Sequence, residues 1–182
     1  TNVWNFETDK VTGDVTLYAK WSTNAYDVTF NANGGSAVTG VKADYNTTIT
    51  APTAPTRTGY TFGGWYKEAT LENAWNFETD KVTADVTLYA KWTLNVYDVT
   101  FSDGVATQNV NHGEKATEPS DPTKTGYTFG GWFVGETAYD FNAEVTGNVT
   151  LTAKWNVVTY TITYDLAGGT VTHTNPTSYT VE

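Results

Sequence analysis

Cysteine and methionine are both absent from the 182 residues of this chain. No disulfide can staple the fold, and thiolate catalysis and cysteine-held metals are excluded. The same absence leaves nothing readily oxidised at sulfur, which suits an exposed extracellular setting. Histidine is scarce: His112 and His173 are the two present, and neither has a second histidine at metal-ligand spacing. Cationic side chains are also few. Ten Lys and Arg stand against twenty Asp and Glu, for a formal net charge of -10 and an isoelectric point near 4.5. That balance cannot make a broad phosphate-binding face, so it argues against nucleic acid and disfavours anionic lipid. No apolar run approaches the roughly 18 residues that a membrane-spanning helix requires, so no membrane insertion is expected. No signal peptide opens the chain, and Thr1 falls inside a repeated block. Any targeting segment or wall anchor is therefore expected outside it.

What the chain has is repetition. WNFETDKVTGDVTLYAKW at Trp4–Trp21 returns at Trp75–Trp92 with Ala84 in place of Gly13, and a looser copy, YDFNAEVTGNVTLTAKW, ends at Trp155. Three landmarks recur in fixed order. An alternating aromatic segment comes first (Tyr26–Phe30, Tyr97–Phe101, Tyr160–Tyr164). GYTFGGW follows at Gly59–Trp65 and Gly126–Trp132. A closing segment ends at Trp21, Trp92 and Trp155. The phasing predicts complete repeats at 26–92 and 97–155, the closing part of a repeat at 1–21 and the opening part of another at 160–182. A unit of about 60 residues can fold by itself, though marginally. The arrangement reads as beads on short strings, a window onto a longer array. A catalytic site is built once, whereas a repeated unit is built to be stacked or strung.

Aromatics supply 15% of the residues, enough for a core. Tyr26-Asp27-Val28-Thr29-Phe30 alternates apolar and polar residues, the period of a half-buried strand. In Val86–Trp92 one face carries Val86, Leu88, Ala90 and Trp92, and the other Thr87, Tyr89 and Lys91. The looser copy keeps the first set as Val149, Leu151, Ala153 and Trp155 but puts Thr152 where Tyr89 stands, so the second face is expected to meet solvent. Paired prolines at Pro52 and Pro55, and at Pro119 and Pro122, predict extended loops. Tyr45–Thr48 and His112–Lys115 predict turns. Gly63-Gly64 and Gly130-Gly131 interrupt aromatic strands and predict bulges or close backbone approach. Helical signal is thin, confined to Thr79–Val82 and Ala69–Ala74. The residues alone predict an antiparallel sheet with minor helix.

Chemistry is sparse. His112 takes the place of Tyr45, sixty-seven residues on, just as Trp132 follows Trp65. An exchange of a base for a tyrosine marks a turn residue. GxSxG, P-loop and GxGxxG patterns are absent. Asn33-Gly34-Gly35 and Ala167-Gly168-Gly169 lead into no helix that could cradle phosphate. Glu78, Asp80, Asp85, Glu118 and Asp121 form no DxDxDG calcium loop and read as solvated acidic surface, with weak calcium binding the alternative. Trp65, Trp75, Trp92, Trp132 and Trp155, with Tyr60 and Tyr127, could line a sugar platform. Their recurrence in register favours a core role in a small unit without disulfides, with Trp75 half-exposed. Arg57 and Lys124 precede the GYTF strand and are expected to cover an aromatic ring. Lys20, Lys91 and Lys154 recur, but their exposed-face phase disfavours an isopeptide bond. No catalytic, cofactor or metal residue is assigned, and the binding residues are left open.

YDVTFNANGG, a Pro-rich middle, GYTFGGWY, WNFETDKVT and DVTLYAKW together resemble the Listeria–Bacteroides repeat, also called the internalin B-repeat. The resemblance covers both full repeats and both partial ones. It implies a compact β-grasp-like unit, near the ubiquitin and SUMO shape, with one short helix across a small sheet. The expected class is thus α+β, mostly β: tandem small units with a twisted antiparallel or mixed sheet and at most one short helix each. The resemblance also implies a bacterial cell-surface or secreted protein in which the repeats are stalk, adhesion or protein-contact modules. The partners it implies are a host or bacterial surface protein or a glycan, or a second copy through exposed strand edges. The second full repeat departs at Phe101-Ser102-Asp103-Gly104, where the first has Phe30–Gly35. That loop is where the repeats are expected to differ in binding.

Overall fold

The computed structural model describes residues 2–182. It contains eleven strands and, among the described residues, no helix: β1 (Ala25–Asn31), β2 (Val41–Asp44), β3 (Tyr60–Tyr66), β4 (Val86–Leu94), β5 (Val96–Phe101), β6 (Gln108–Asn111), β7 (Tyr127–Val134), β8 (Thr137–Ala138), β9 (Val149–Val157), β10 (Tyr160–Thr161) and β11 (Ser178–Tyr179). The chain is therefore all-β rather than α+β, which the expectation of at most one short helix allows. Both helix candidates are turns. Backbone amides of Thr79 and Asp80 donate to the Asn76 carbonyl, as a starting helix would. However, the Asp80 carboxylate accepts the Asn76 N–H at 2.8 Å and the Asn76 side chain accepts the Glu78 N–H at 2.9 Å, so the turn closes on itself. Within 69–74 the Glu68 carboxylate accepts the amides of Glu72 and Asn73, and Leu71 takes a positive φ of 58°.

Two compact units are present. One comprises 1–55 and 64–91, the other 56–63 and 92–182. Sheet order is β2-β1-β4-β3 in one four-stranded sheet and β6-β5-β9-β7-β8 in a five-stranded one, with β10 and β11 paired apart. Both larger sheets carry the same mixed arrangement. β1 runs antiparallel to β2 and parallel to β4, pairing Val28 with Val86 and Phe30 with Leu88. β5 repeats this with β6 and β9, pairing Val99 with Val149 and Phe101 with Leu151. The two larger sheets are thus mixed, one of the two arrangements expected, rather than the antiparallel sheet that the residues alone suggest. A parallel pair needs a long crossover, and the sequence from 32 to 85 supplies it, Pro-rich loop included.

Core positions recur pair by pair. Val28, Ala43, Ile49, Trp65, Val82, Leu88 and Ala90 are buried in the first repeat; Val99, Val110, Ala116, Trp132, Val145, Leu151 and Ala153 are buried at the matching places of the second. Phe30 meets Trp65 edge-on at 4.8 Å and Phe101 meets Trp132 at 5.0 Å. Leu88 and Leu151 are fully buried, while Thr150, Thr152 and Lys154 on the opposite face of β9 are exposed. In β4 that opposite face is only half-exposed. The glycine pair behaves as the sequence predicts: pairing of β7 with β9 slips between Phe129 and Trp132, and Gly131 sits at φ 105°. Such a bulge needs a residue without Cβ strain. Residues 2–24 carry no strand, and Trp21 is 88% exposed there.

Candidate interaction surfaces

No group of three or more His, Asp and Glu residues that could hold a metal ion occurs among the described residues. The singled-out carboxylates lie apart or serve the backbone. Asp85 accepts the Asp27 amide at 2.8 Å, and Asn148 does the same for Asp98 at 3.0 Å, each just before its parallel strand pair begins. Asp80 closes the Asn76 turn and receives the Lys67 ammonium at 2.9 Å. Its carboxyl is held below the usual aspartate range by the Asn76 N–H first and by Lys67 next. Glu78, Glu118 and Asp121 are exposed, as is His173. His112 sits half-buried in the turn after β6, its Nδ1 buried without a hydrogen-bond partner.

The aromatic residues divide between core and covered surface. Trp65 and Trp132 are each 3% exposed, and Trp75, Trp92 and Trp155 are half-buried. Cations lie over several of the outward rings. Arg57 sits 3.8 Å from the Tyr60 centroid and Lys124 4.2 Å from that of Tyr127, as the sequence predicts. Lys67 lies 5.7 Å from Trp75, Lys91 4.9 Å from Tyr66 and Lys154 5.0 Å from Phe133. A sugar platform needs an uncovered ring face. Of the platform candidates, Tyr60, Trp75, Tyr127 and Trp155 each carry a cation over one ring face, and Lys91 and Lys154 are engaged over Tyr66 and Phe133.

Two surfaces differ between the repeats. The first is the loop after the opening strand. Asn33, at φ 46°, reaches the Ala90 carbonyl through its side-chain amide at 2.7 Å, and an open groove beside it is lined by Phe30, Asn31, Gly34, Val38 and Thr87. In the shorter loop Ser102 Oγ instead accepts the Ala153 amide at 2.9 Å. Both loops are thus tied to the same place on the closing strand by different chemistry. The second is the outer edge of the opening hairpin. In the second repeat the Gln108 side chain donates to the Thr117 carbonyl at 2.7 Å and accepts the Thr117 N–H at 2.9 Å. The matching residue in the first repeat is Val41, which has no such groups. There an open groove runs between Val41–Asp44 and Thr47–Thr50, and Val41 is 41% exposed. The sequence signal for this edge is the exchange of an apolar residue, Val41, for an amide, Gln108, at one register position of strands whose sequences otherwise also differ (VKAD against QNVN).

The model of the Listeria-Bacteroides repeat domain matches the chain at residues 1–20, 26–91 and 97–154. Two proteins of Evansella cellulosilytica whose names call them membrane proteins, one of them Gly-rich, are each 42% identical over 177 and 173 residues. Those alignments cover 93% and 91% of this chain but 20% and 26% of the relatives. Internalin H of Listeria monocytogenes is 45% identical over 141 residues, 73% of this chain and 25% of that protein. The chain thus spans a quarter or less of the length of most of these relatives.

Proposed function

The chain belongs to the Listeria-Bacteroides repeat domain family, and on that premise we propose that it is a non-catalytic repeat array of a bacterial cell-surface or secreted protein. Its parts are the closing portion of a repeat at 1–21, full repeats at 26–92 and 97–155, and an opening portion at 160–182. The array acts as stalk and spacer and offers its surface for adhesion or protein contact. The observation that carries this reading is the pairwise recurrence of the core, from Val28 and Val99 to Ala90 and Ala153. What the repeats share is packing. What differs is chemistry at particular surface sites, as at Asn33 against Ser102 and Val41 against Gln108. Each unit is read as β-grasp-like without its helix, a reading supported by the shared order of opening hairpin, parallel closing strand and GYTFGGW strand. The names of the Evansella relatives and of Internalin H support a place at the cell envelope.

A second reading, a peptide- or protein-binding module, is favoured by the uncapped edge at Val41–Asp44. An extended partner segment could add a strand there, with main-chain bonds giving affinity. The envelope reading is tested by antibody raised against the full chain. Intact cells of the producing bacterium should be labelled, and brief protease treatment of those cells should remove the label. Labelling that appears only after lysis would overturn it.

A further inference from the structure

The turn that opens β3 packs with the compact unit containing the next repeat: residues 56–63 group with 92–182. The contacts that achieve this occur twice. The Asn95 N–H donates to the Gly59 carbonyl at 2.9 Å, and the Val158 N–H donates to the Gly126 carbonyl at 2.8 Å. Asn95 and Val158 are the linker residues three past Trp92 and Trp155. The Asn95 carbonyl in turn accepts the His112 N–H at 2.8 Å, and the Thr61 hydroxyl donates to the Asn95 side chain at 2.6 Å.

Each glycine also receives a side chain. A Cβ on Gly59 would stand 2.1 Å from His112 Cδ2, and one on Gly126 would stand 2.3 Å from Val181 Cγ1. Both glycines are buried, with φ of 77° and 80°. His112 and Val181 are the same structural position. Val110 pairs with Tyr97 and Tyr179 with Tyr160, so each of the two follows its pairing residue by two. Tyr45 holds that position in the first full repeat, two residues after Ala43, the partner of Tyr26. Its N–H bonds the Asn24 carbonyl at 2.7 Å, as His112 does with Asn95, which places it by its backbone bond; its side chain is 54% exposed, against 47% for Val181.

We infer that Gly59 and Gly126 are sockets for the opening hairpin of the repeat that follows, with His112 and Val181 as the plugs, and that Tyr45 is a further plug shaped for a Gly-Tyr turn of another repeat of this kind. The partner of this surface is thus another repeat. The two plugs differ in chemistry, an imidazole ring and a branched aliphatic side chain, and each lies against its glycine. A socket residue with a Cβ is opposed twice, by close contact with the plug and by the strain of a positive φ. The joint couples neighbouring repeats. It rests on the array reading but adds a claim that reading does not need.

The test is a double-substitution cycle in the full chain, read by amide exchange and urea midpoint. Gly59→Ala should raise exchange at Asn95 and His112 by about tenfold or more, a loss of about 1.4 kcal/mol in local opening free energy. Adding His112→Ala should return part of the urea midpoint, because the plug that clashes is gone. Gly104→Ala is the control for backbone strain alone, since Gly104 has φ 78° and nothing within 4 Å of its Cβ position. Should Gly59→Ala not fold, Thr61→Val removes one joint hydrogen bond and should raise exchange at Asn95. Additive substitutions, with Asn95 exchange the same in Gly59→Ala as in Gly104→Ala, would overturn the joint, as would an unmoved Asn95 in Thr61→Val. Surface labelling of intact cells is read separately, so a failed cycle with labelled cells leaves the spacer reading standing.

Discussion

Asp80 holds its turn through charge, and charge can be titrated. Its carboxylate accepts the Asn76 N–H and receives Lys67, and both favour the ionised form. The folded-state pKa is lowered from the usual value of 3.8. A lowered acid contributes stability above its unfolded pKa and loses it as pH falls through the folded one. The contribution is therefore intact at neutral pH and disappears below about pH 4. The side chain is a quarter exposed and solvent screens the pair, so the effect is modest. Carbon-detected titration of Asp80 in the full chain should give a midpoint below that of a free aspartate. Asp80→Asn keeps an acceptor for the turn but should flatten the acid limb of the urea midpoint below about pH 4; an unchanged acid limb would remove Asp80 from the account. Residue identity made the core legible, because Trp65 and Leu88 recur with their copies Trp132 and Leu151. It hid the role of Asp80, which reads as solvated charge until the fold brings Lys67 to it.

At the scale of elements, alternation placed the strands but not their partners. Tyr26–Phe30 and Val86–Trp92 read as strands from side-chain period alone. That they lie side by side and parallel depends on a crossover of more than fifty residues, for which no local pattern exists. The helix expected at Thr79–Val82 is absent for the opposite reason. The local pattern is helix-like, but Asn76 and Asp80 spend their side chains closing a single turn. Edge chemistry was legible only by comparing repeats. Gln108 caps the outer edge of β6 by bonding Thr117 twice, and Val41 leaves the matching edge of β2 uncapped. Gln108→Val should therefore expose the second edge, with faster exchange at the Thr117 amide and little change in the core. Val41→Gln should slow exchange at Thr50. If a strand-adding peptide partner exists, Val41→Gln weakens it and Gln108→Val offers it a second site; isothermal titration against candidate peptides reads both. Unaltered exchange at Thr117 in Gln108→Val would show that the side-chain bonds contribute nothing to guarding the edge.

For the whole molecule, two cores imply two stability budgets rather than one. The units divide at 55/56, 63/64 and 91/92, and each has its own fully buried leucine, Leu88 or Leu151. The core of a single repeat of about 60 residues without disulfides supplies at most about 3–5 kcal/mol. Truncating a buried leucine to alanine costs about 2–5 kcal/mol, since the cavity left behind collapses only in part. The loss is comparable to that contribution, so one substitution should bring one unit close to its unfolding midpoint at room temperature. Leu88→Ala should do this to the unit of β1, β2 and β4, and Leu151→Ala to the unit of β5, β6, β7 and β9. Exchange-resolved urea titration distinguishes them: amides of Val28 and Leu88 should lose protection first in one variant, those of Val99 and Leu151 in the other. The Gly59 socket sets how far the damage spreads. With the socket intact, Leu151→Ala should also loosen the turn at Thr58–Tyr60, because that turn packs with the weakened unit. With Gly59→Ala in the same chain that spread should vanish. Simultaneous loss of protection in all strands at one urea concentration would instead mark a single cooperative core, and the reading of two separate cores would fail.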